Sequence, residues 1–141
     1  MNEGQDSGNG TIMALDIGAA RVGIALASGM ARIAHPLGAV TNDGALVPHL
    51  RELCAREQVT RIVIGLPRSL DGKETAQTAT ARDIGLKIAQ QLELPFQWQD
   101  EAVTSVAAEA ELRARGRPYE KQDIDALAAV YILEDYLHAR V

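Results

Sequence analysis

The stretch TIMALDIGAARVGIALAS, residues 11–28, constrains this chain more than any other. Its two apolar runs, 11–17 and 21–28, have the length and continuity of buried strands. Only Gly18, Ala19 and Ala20 separate them, which is short enough for a hairpin, so the two strands are expected to be antiparallel. A weaker third strand over 31–40 is interrupted by Pro36, which confines it to a sheet edge or an irregular segment. Within the first run stands Asp16, between Leu15 and Ile17. A carboxylate in apolar surroundings is costly unless it is paired or protonated, so Asp16 needs a cation, a proton or contact with water.

Further along, strands and helices alternate. In GALVPHLRELCAREQ (44–58), Leu46, Leu50, Leu53 and Cys54 share one helical face. RIVIGLP (61–67) reads as a strand buried on both sides. Asp71 is a candidate N-cap with Glu74 in capping-box position, opening a helix to about Leu92 with Ala76, Ile84, Ile88 and Leu92 as its buried stripe. LPFQWQDEAVT is a further strand, with Trp98 in the core, and it ends in two carboxylates. Thr104 or Ser105 can cap the helix SVAAEAELRAR, which Gly116 and Pro118 stop. EKQDIDALAAVYILEDYLHAR is the last helix.

Three opening antiparallel strands, followed by strands that pair in parallel across helices, predict an α/β protein. It has a mixed five-stranded sheet with helices on both faces. The chain has 141 residues, 47% of them apolar, which suits one domain over 11–141. Residues 1–10 are polar and glycine-rich and read as a disordered tail. Cys54 is the single cysteine, which excludes an intrachain disulfide and a thiolate zinc site. No apolar run reaches the roughly 18 residues of a membrane span, and the first residues do not form a signal peptide, so a soluble cytoplasmic protein is expected.

Asp16 ends the first strand, Asp100 and Glu101 end the last, and Asp125 lies early in the final helix beside the small residues Ala128 and Ala129. Each has an ordinary reading: a turn-bonded aspartate, a solvated strand end, a charge favouring a helix dipole. Together they mean more. If the first and last strands are neighbours at the sheet centre, Asp16, Glu101 and Asp125 meet at one edge. Three carboxylates at close quarters repel and protonate unless a cation binds. An all-oxygen donor set suits Mg²⁺ or Mn²⁺. Carboxylates holding divalent ions are the equipment of phosphodiester hydrolysis, which needs no side-chain nucleophile. His35, His49 and His138 have no ligand spacing.

LDIGAARVGIALAS, IVIGLPRSLDGKET, DEAVTS and IDALAAVYILEDYL, in this order and spacing over 12–138, resemble the YqgF family. These are Holliday-junction-resolvase-like proteins of the RNase H fold, also linked to pre-16S rRNA processing. The resemblance implies that Asp16, Glu101 and Asp125 are the metal ligands and catalytic residues, and that Gly65–Pro67 and Asp71–Gly72 form a loop beside the substrate. Two positions depart from the family pattern. Ala102 stands where an arginine usually follows the Asp-Glu pair, and Gly29 follows Ser28 where the pattern has aspartate. The first departure removes a planar cation suited to phosphate.

The formal net charge of -5 argues against a broad basic surface but not against a local groove. Arg21, Arg68 and Lys73 are expected to contact phosphates, and the cluster Arg113, Arg115, Arg117 and Lys121 to hold a flanking strand. The expected activity is a divalent-metal-dependent nuclease on structured nucleic acid, with 5′-end processing of pre-16S rRNA as the task that the resemblance implies. The alternatives are a branched-DNA resolvase, a phosphotransferase with a DIGAARVG phosphate loop, and a non-catalytic RNA-binding module. Symmetric junction cleavage needs two sites and hence a homodimer, because this chain holds one.

Overall fold

A computed structural model describes residues 10–102 and 104–139. The proposed tail therefore lies outside the described residues except for Gly10, which is buried and accepts a backbone hydrogen bond from Gly29 at 2.7 Å. The chain runs β1 (Thr11–Ile17), β2 (Arg21–Ser28), β3 (His35–Thr41), α1 (Leu46–Glu57), β4 (Val59–Arg68), α2 (Ala76–Leu92), β5 (Phe96–Ala102), α3 (Thr104–Ala114) and α4 (Lys121–His138). The five strands form one sheet in the order β3-β2-β1-β4-β5. β1–β2 and β2–β3 are antiparallel, while β1–β4 and β4–β5 are parallel. The α/β class, the mixed sheet and the opening hairpin are as the sequence predicts. Pro36 does sit on an edge strand, at the point where the β2–β3 register shifts.

Strand alternation sorts the core into two layers. Met13, Leu15 and Ile17 of β1 face one way with Val22, Ile24, Ile62 and Ile64, and pack against Leu46 and Leu50 of α1 and Ala81 and Ile88 of α2. Ala14, Ala25, Ala27 and Val63 face the other way, against Ala108 and Leu112 of α3 and Leu127, Ala128 and Ala129 of α4. The second layer is built of small side chains, so α4 lies close on the sheet. Where α4 crosses β2, a Cβ on Gly23 would stand 2.0 Å from the Asp125 carbonyl oxygen; only glycine permits this approach.

Some local expectations are corrected. Helix α2 is capped by Thr75, whose side chain accepts from the Thr78 N–H while the Thr78 hydroxyl accepts from the Thr75 N–H. Asp71 lies too early, inside a loop, where its carboxylate accepts from the Ser69 hydroxyl. The buried residues of α2 are Thr78, Ala81, Gly85, Ile88 and Ala89, and Ala76 is exposed. Most consequentially, β1 and β5 are not neighbours: β4 lies between them, and β5 is an edge.

Candidate active site

The parallel strands β1, β4 and β5 all end on the same side of the sheet, where an α/β fold places its sites. Asp16 is one residue from the end of β1 and Glu101 one residue from the end of β5. The register decides which face each uses. Asp16 alternates with Leu15 and Ile17 and so shares the face of Ala14, toward α4. In β5, Phe96 and Trp98 belong to the opposite layer, opposite Ile62 and Ile64. That parity carries Asp100 to the α1/α2 face, where it pairs with Arg68 at 3.2 Å, and turns Glu101 to the face of Asp16. Asp125 arrives from above, fixed by the contact of α4 with Gly23, the β2 partner of Asp16.

Asp16, Glu101 and Asp125 line one cleft of about 570 Å³. Its walls include Gly18, Pro67, Arg68 and Ser69, together with the hydroxyls of Thr75, Thr80, Thr104 and Ser105. The end of β4, Pro67 and Arg68, and the following Ser69 border this cleft, and the loop then turns at Gly72, which has a φ of 85°. No histidine lines the cleft beside Thr104 and Ser105.

The acids are electrostatically strained. Burial first, and then the Asp125 charge, push Asp16 up to about 6. Among the described residues no hydrogen bond or ion pair reaches its carboxylate. The neighbouring cations are engaged elsewhere: Arg21 Nε donates to Asp125 Oδ2 at 2.5 Å, and Arg68, in the same cleft, pairs with Asp100 and Glu74. Glu101 is raised to about 8, by burial, by a hydrogen bond and charge from Asp135, and by the charges of Asp100 and Asp16. Its Oε1 is buried without a hydrogen-bond partner among the described residues. Asp135 was not singled out in the sequence; the only signal was its place in the apolar run YILEDYL.

Oxygen donors, an orphaned carboxylate oxygen and an unpaired aspartate fit a hard divalent ion in chemistry. The arrangement is not a closed ligand set, since among the described residues no group of three acidic, histidine or cysteine side chains stands close enough to hold one ion. The topology explains it. With β4 interposed, Asp16 and Glu101 start two strand spacings apart, about 9.6 Å, and Glu101 is engaged with Asp135.

The basic residues divide. Arg68 lines the acid cleft and also pairs with Asp100 and, at 3.4 Å, with Glu74. Arg21 and Lys121 line an adjoining cavity that shares Asp125. Lys73 is exposed and pairs loosely with Asp71 at 3.8 Å. Arg113 and Arg115 are tied to Glu109 and Glu111 by ion pairs one helical turn apart, at 3.4 and 2.5 Å. Arg115 and Arg117 line a different cleft, which has no residue in common with that of the acids. Of the cluster 113–121, only Lys121 lines a cavity that shares a residue with the acid cleft.

Strand order and helix placement define an RNase H-like α/β protein of the RuvC type. The structure of Thermus thermophilus RuvC in complex with a Holliday junction substrate superposes with a TM-score of 0.58 at 18% identity, covering 94% of this chain and 96% of that one. A second Thermus thermophilus RuvC structure gives 0.54 at 17%, covering 92% and 95%. Likeness at this identity speaks for the fold.

The sequence goes further. Residues 10–139 match the family model described as RuvX, Holliday junction resolvase. Chloroflexus aggregans has a relative 39% identical over 92% of this chain and 94% of its own length, named "Putative pre-16S rRNA nuclease". One from Thiobacillus denitrificans bears the same name and is 36% identical over 94% of each chain. The chain belongs to the RuvX (YqgF) family, and nuclease is the role that these relatives' names carry. Among the described residues, no helix is long and apolar enough to cross a membrane.

Proposed function

We propose that the cleft at the ends of β1, β4 and β5 is the active site of a divalent-metal-dependent nuclease that hydrolyses phosphodiester bonds in structured nucleic acid. Its substrate is a cytoplasmic ribosomal RNA precursor, trimmed toward the 5′ end of 16S rRNA. The single observation that carries the reading is Asp16. Its carboxyl is enclosed in a cleft with two further acids, yet no cation among the described residues pairs with it, while Arg21 pairs with Asp125 and Arg68 with Asp100 and Glu74. A carboxylate left this way at a stability cost is what ion binding requires and what a structural aspartate would avoid.

In this reading Asp16, Glu101 and Asp125 hold Mg²⁺ or Mn²⁺. Held there, such an ion would supply activation of water and stabilisation of the leaving oxygen. The protein's own residues do the rest. The end of β4 brings Arg68 to the rim, where its guanidinium meets backbone phosphate. The Thr104 and Ser105 hydroxyls supply hydrogen bonds at the other wall. Close packing of α4 on Gly23 fixes Asp125, and Asp135 holds Glu101 while the site is unloaded. With Ala102 in place of the family's arginine, Arg68 and Arg21 are the planar cations left near the acids.

The test compares wild type with Asp16→Asn on a 5′-extended 16S precursor fragment in Mn²⁺. Cleavage by wild type and loss in the variant is expected; equal residual cleavage in both preparations defeats the reading. The family description favours a second substrate, so a four-way DNA junction belongs in the same assay. Resolution into paired symmetric nicks, together with dimeric mass in solution, would move the assignment to junctions.

A further inference from the structure

The Arg21 guanidinium meets Asp125 through one atom. Nε donates to Oδ2, and among the described residues neither Nη group finds an acceptor. Guanidinium and carboxylate commonly pair through two parallel bonds. Here the single-point contact leaves the fork of Nη donors unused, on a side chain that is 32% exposed. Both partners stand on rigid elements. Arg21 opens β2 on the face of Gly23, and Asp125 is held by the backbone contact at Gly23.

Arg21, Asp125 and Lys121 wall a cavity of about 280 Å³ beside the acid cleft. The two spaces share Asp125, Ser105 and Val106, so they adjoin at the Asp125 side chain. Lys121, the first residue of α4, makes no ion pair among the described residues. The other acid in this wall, Glu109, is already taken by Arg113 at 3.4 Å and by the Tyr119 hydroxyl at 3.0 Å. The cavity therefore offers two sets of unused donors, the Nη groups of the paired Arg21 and the unpaired Lys121 ammonium, and both of its acids already have cationic partners.

We propose that this cavity is a phosphate subsite, one position along the backbone from the bond being cut. Asp125 holds the guanidinium by Nε, and the Arg21 Nη groups and Lys121 Nζ receive a non-bridging phosphate oxygen. The subsite rests on the nuclease reading and adds to it a direction: the strand leaves the acids across Asp125, between the starts of β2 and α4. A lysine at position 21 could engage the carboxylate or the phosphate but lacks the geometry to serve both.

The test is fluorescence anisotropy of a labelled single-stranded RNA 12-mer, without divalent ion, titrated from 50 to 300 mM KCl. Each phosphate contact on a single strand contributes about 0.7 to the slope of log affinity against log salt. Arg21→Gln and Lys121→Gln should each flatten the slope by about that amount. Each should also raise Kd about fivefold at 0.1 M salt, the same slope taken over one decade. Arg21→Lys should keep the slope and still weaken binding. Arg56→Gln, on α1 across the sheet, controls for net charge, and thermal melts control for folding. Arg21→Gln and Lys121→Gln curves that overlay that of Arg56→Gln would overturn the subsite, and if wild type still cleaves in Mn²⁺ the nuclease reading survives. Wild type that neither binds nor cleaves would remove both.

Discussion

Replacing Asp16 by asparagine should make the ion-free protein more stable, and only at pH values where the aspartate is charged. The folded-state value is raised from 3.8 to about 6, chiefly by burial and then by Asp125. The folded state thus holds the proton more tightly than the unfolded chain does. Stability is undiminished below the unfolded value, falls as pH rises through the window between the two, and stays reduced above the folded value. At 1.36 kcal/mol per pKa unit, the full cost is about 3 kcal/mol at pH 8 and about 1 kcal/mol at pH 4.5. These are upper values, because Asp16 keeps some solvent contact, which screens its charge. Asparagine has the same shape and no charge to desolvate. For a chain this size the gain corresponds to roughly 10 °C in Tm at pH 8. Urea unfolding and calorimetry in EDTA at both pH values measure it. Mn²⁺ at ten times its Kd should then stabilise wild type by about 1.4 kcal/mol and leave Asp16→Asn unmoved. A variant that is destabilised equally at pH 4.5 and 8 would show that Asp16 is a structural carboxylate, and the argument from its strain would be wrong.

Four further outcomes are expected. Mn²⁺ affinity, read by titration calorimetry, should rise between pH 5 and 8 because Asp16 and Glu101, both raised, must lose protons before they can ligate. Asp135→Asn should shift that rise to lower pH by removing the charge that holds the Glu101 proton, and an unshifted curve would show that Asp135 does not act on Glu101. Gly23→Ala would place a Cβ 2.0 Å from the Asp125 carbonyl oxygen, so α4 must lift. A loss of about 1–3 kcal/mol in urea, with a drop in cleavage larger than the stability loss explains, is the expected signature. Thr75→Ala removes the α2 cap and should cost about 1 kcal/mol by urea midpoint.

The comparison of sequence with structure turns on a few residues. The hairpin, Pro36 at an edge and the alternation of later strands with helices were legible because period-2 and period-3.6 patterns are local properties of the chain. Asp16 stood out for the same reason, as a charge where the local pattern calls for an apolar residue. The α2 cap was misread because Asp71 and Glu74 satisfy a spacing rule as well as Thr75 and Thr78 do; the hydroxyl pair wins because Thr78 is buried and also donates to the Pro67 carbonyl.

By itself, then, the sequence determined the elements, the family and the candidate acids, since each is written in neighbouring residues. Tertiary structure alone decided their relations. Strand pairing put β4 between β1 and β5, which separates Asp16 from Glu101, and the register with β4 turned Glu101 rather than Asp100 toward α4. Helix packing gave Asp125 to Arg21 and brought Asp135 to Glu101. These are contacts across tens of residues, and they depend on which faces pack together, a choice made by the energy of the whole core and not by any short segment.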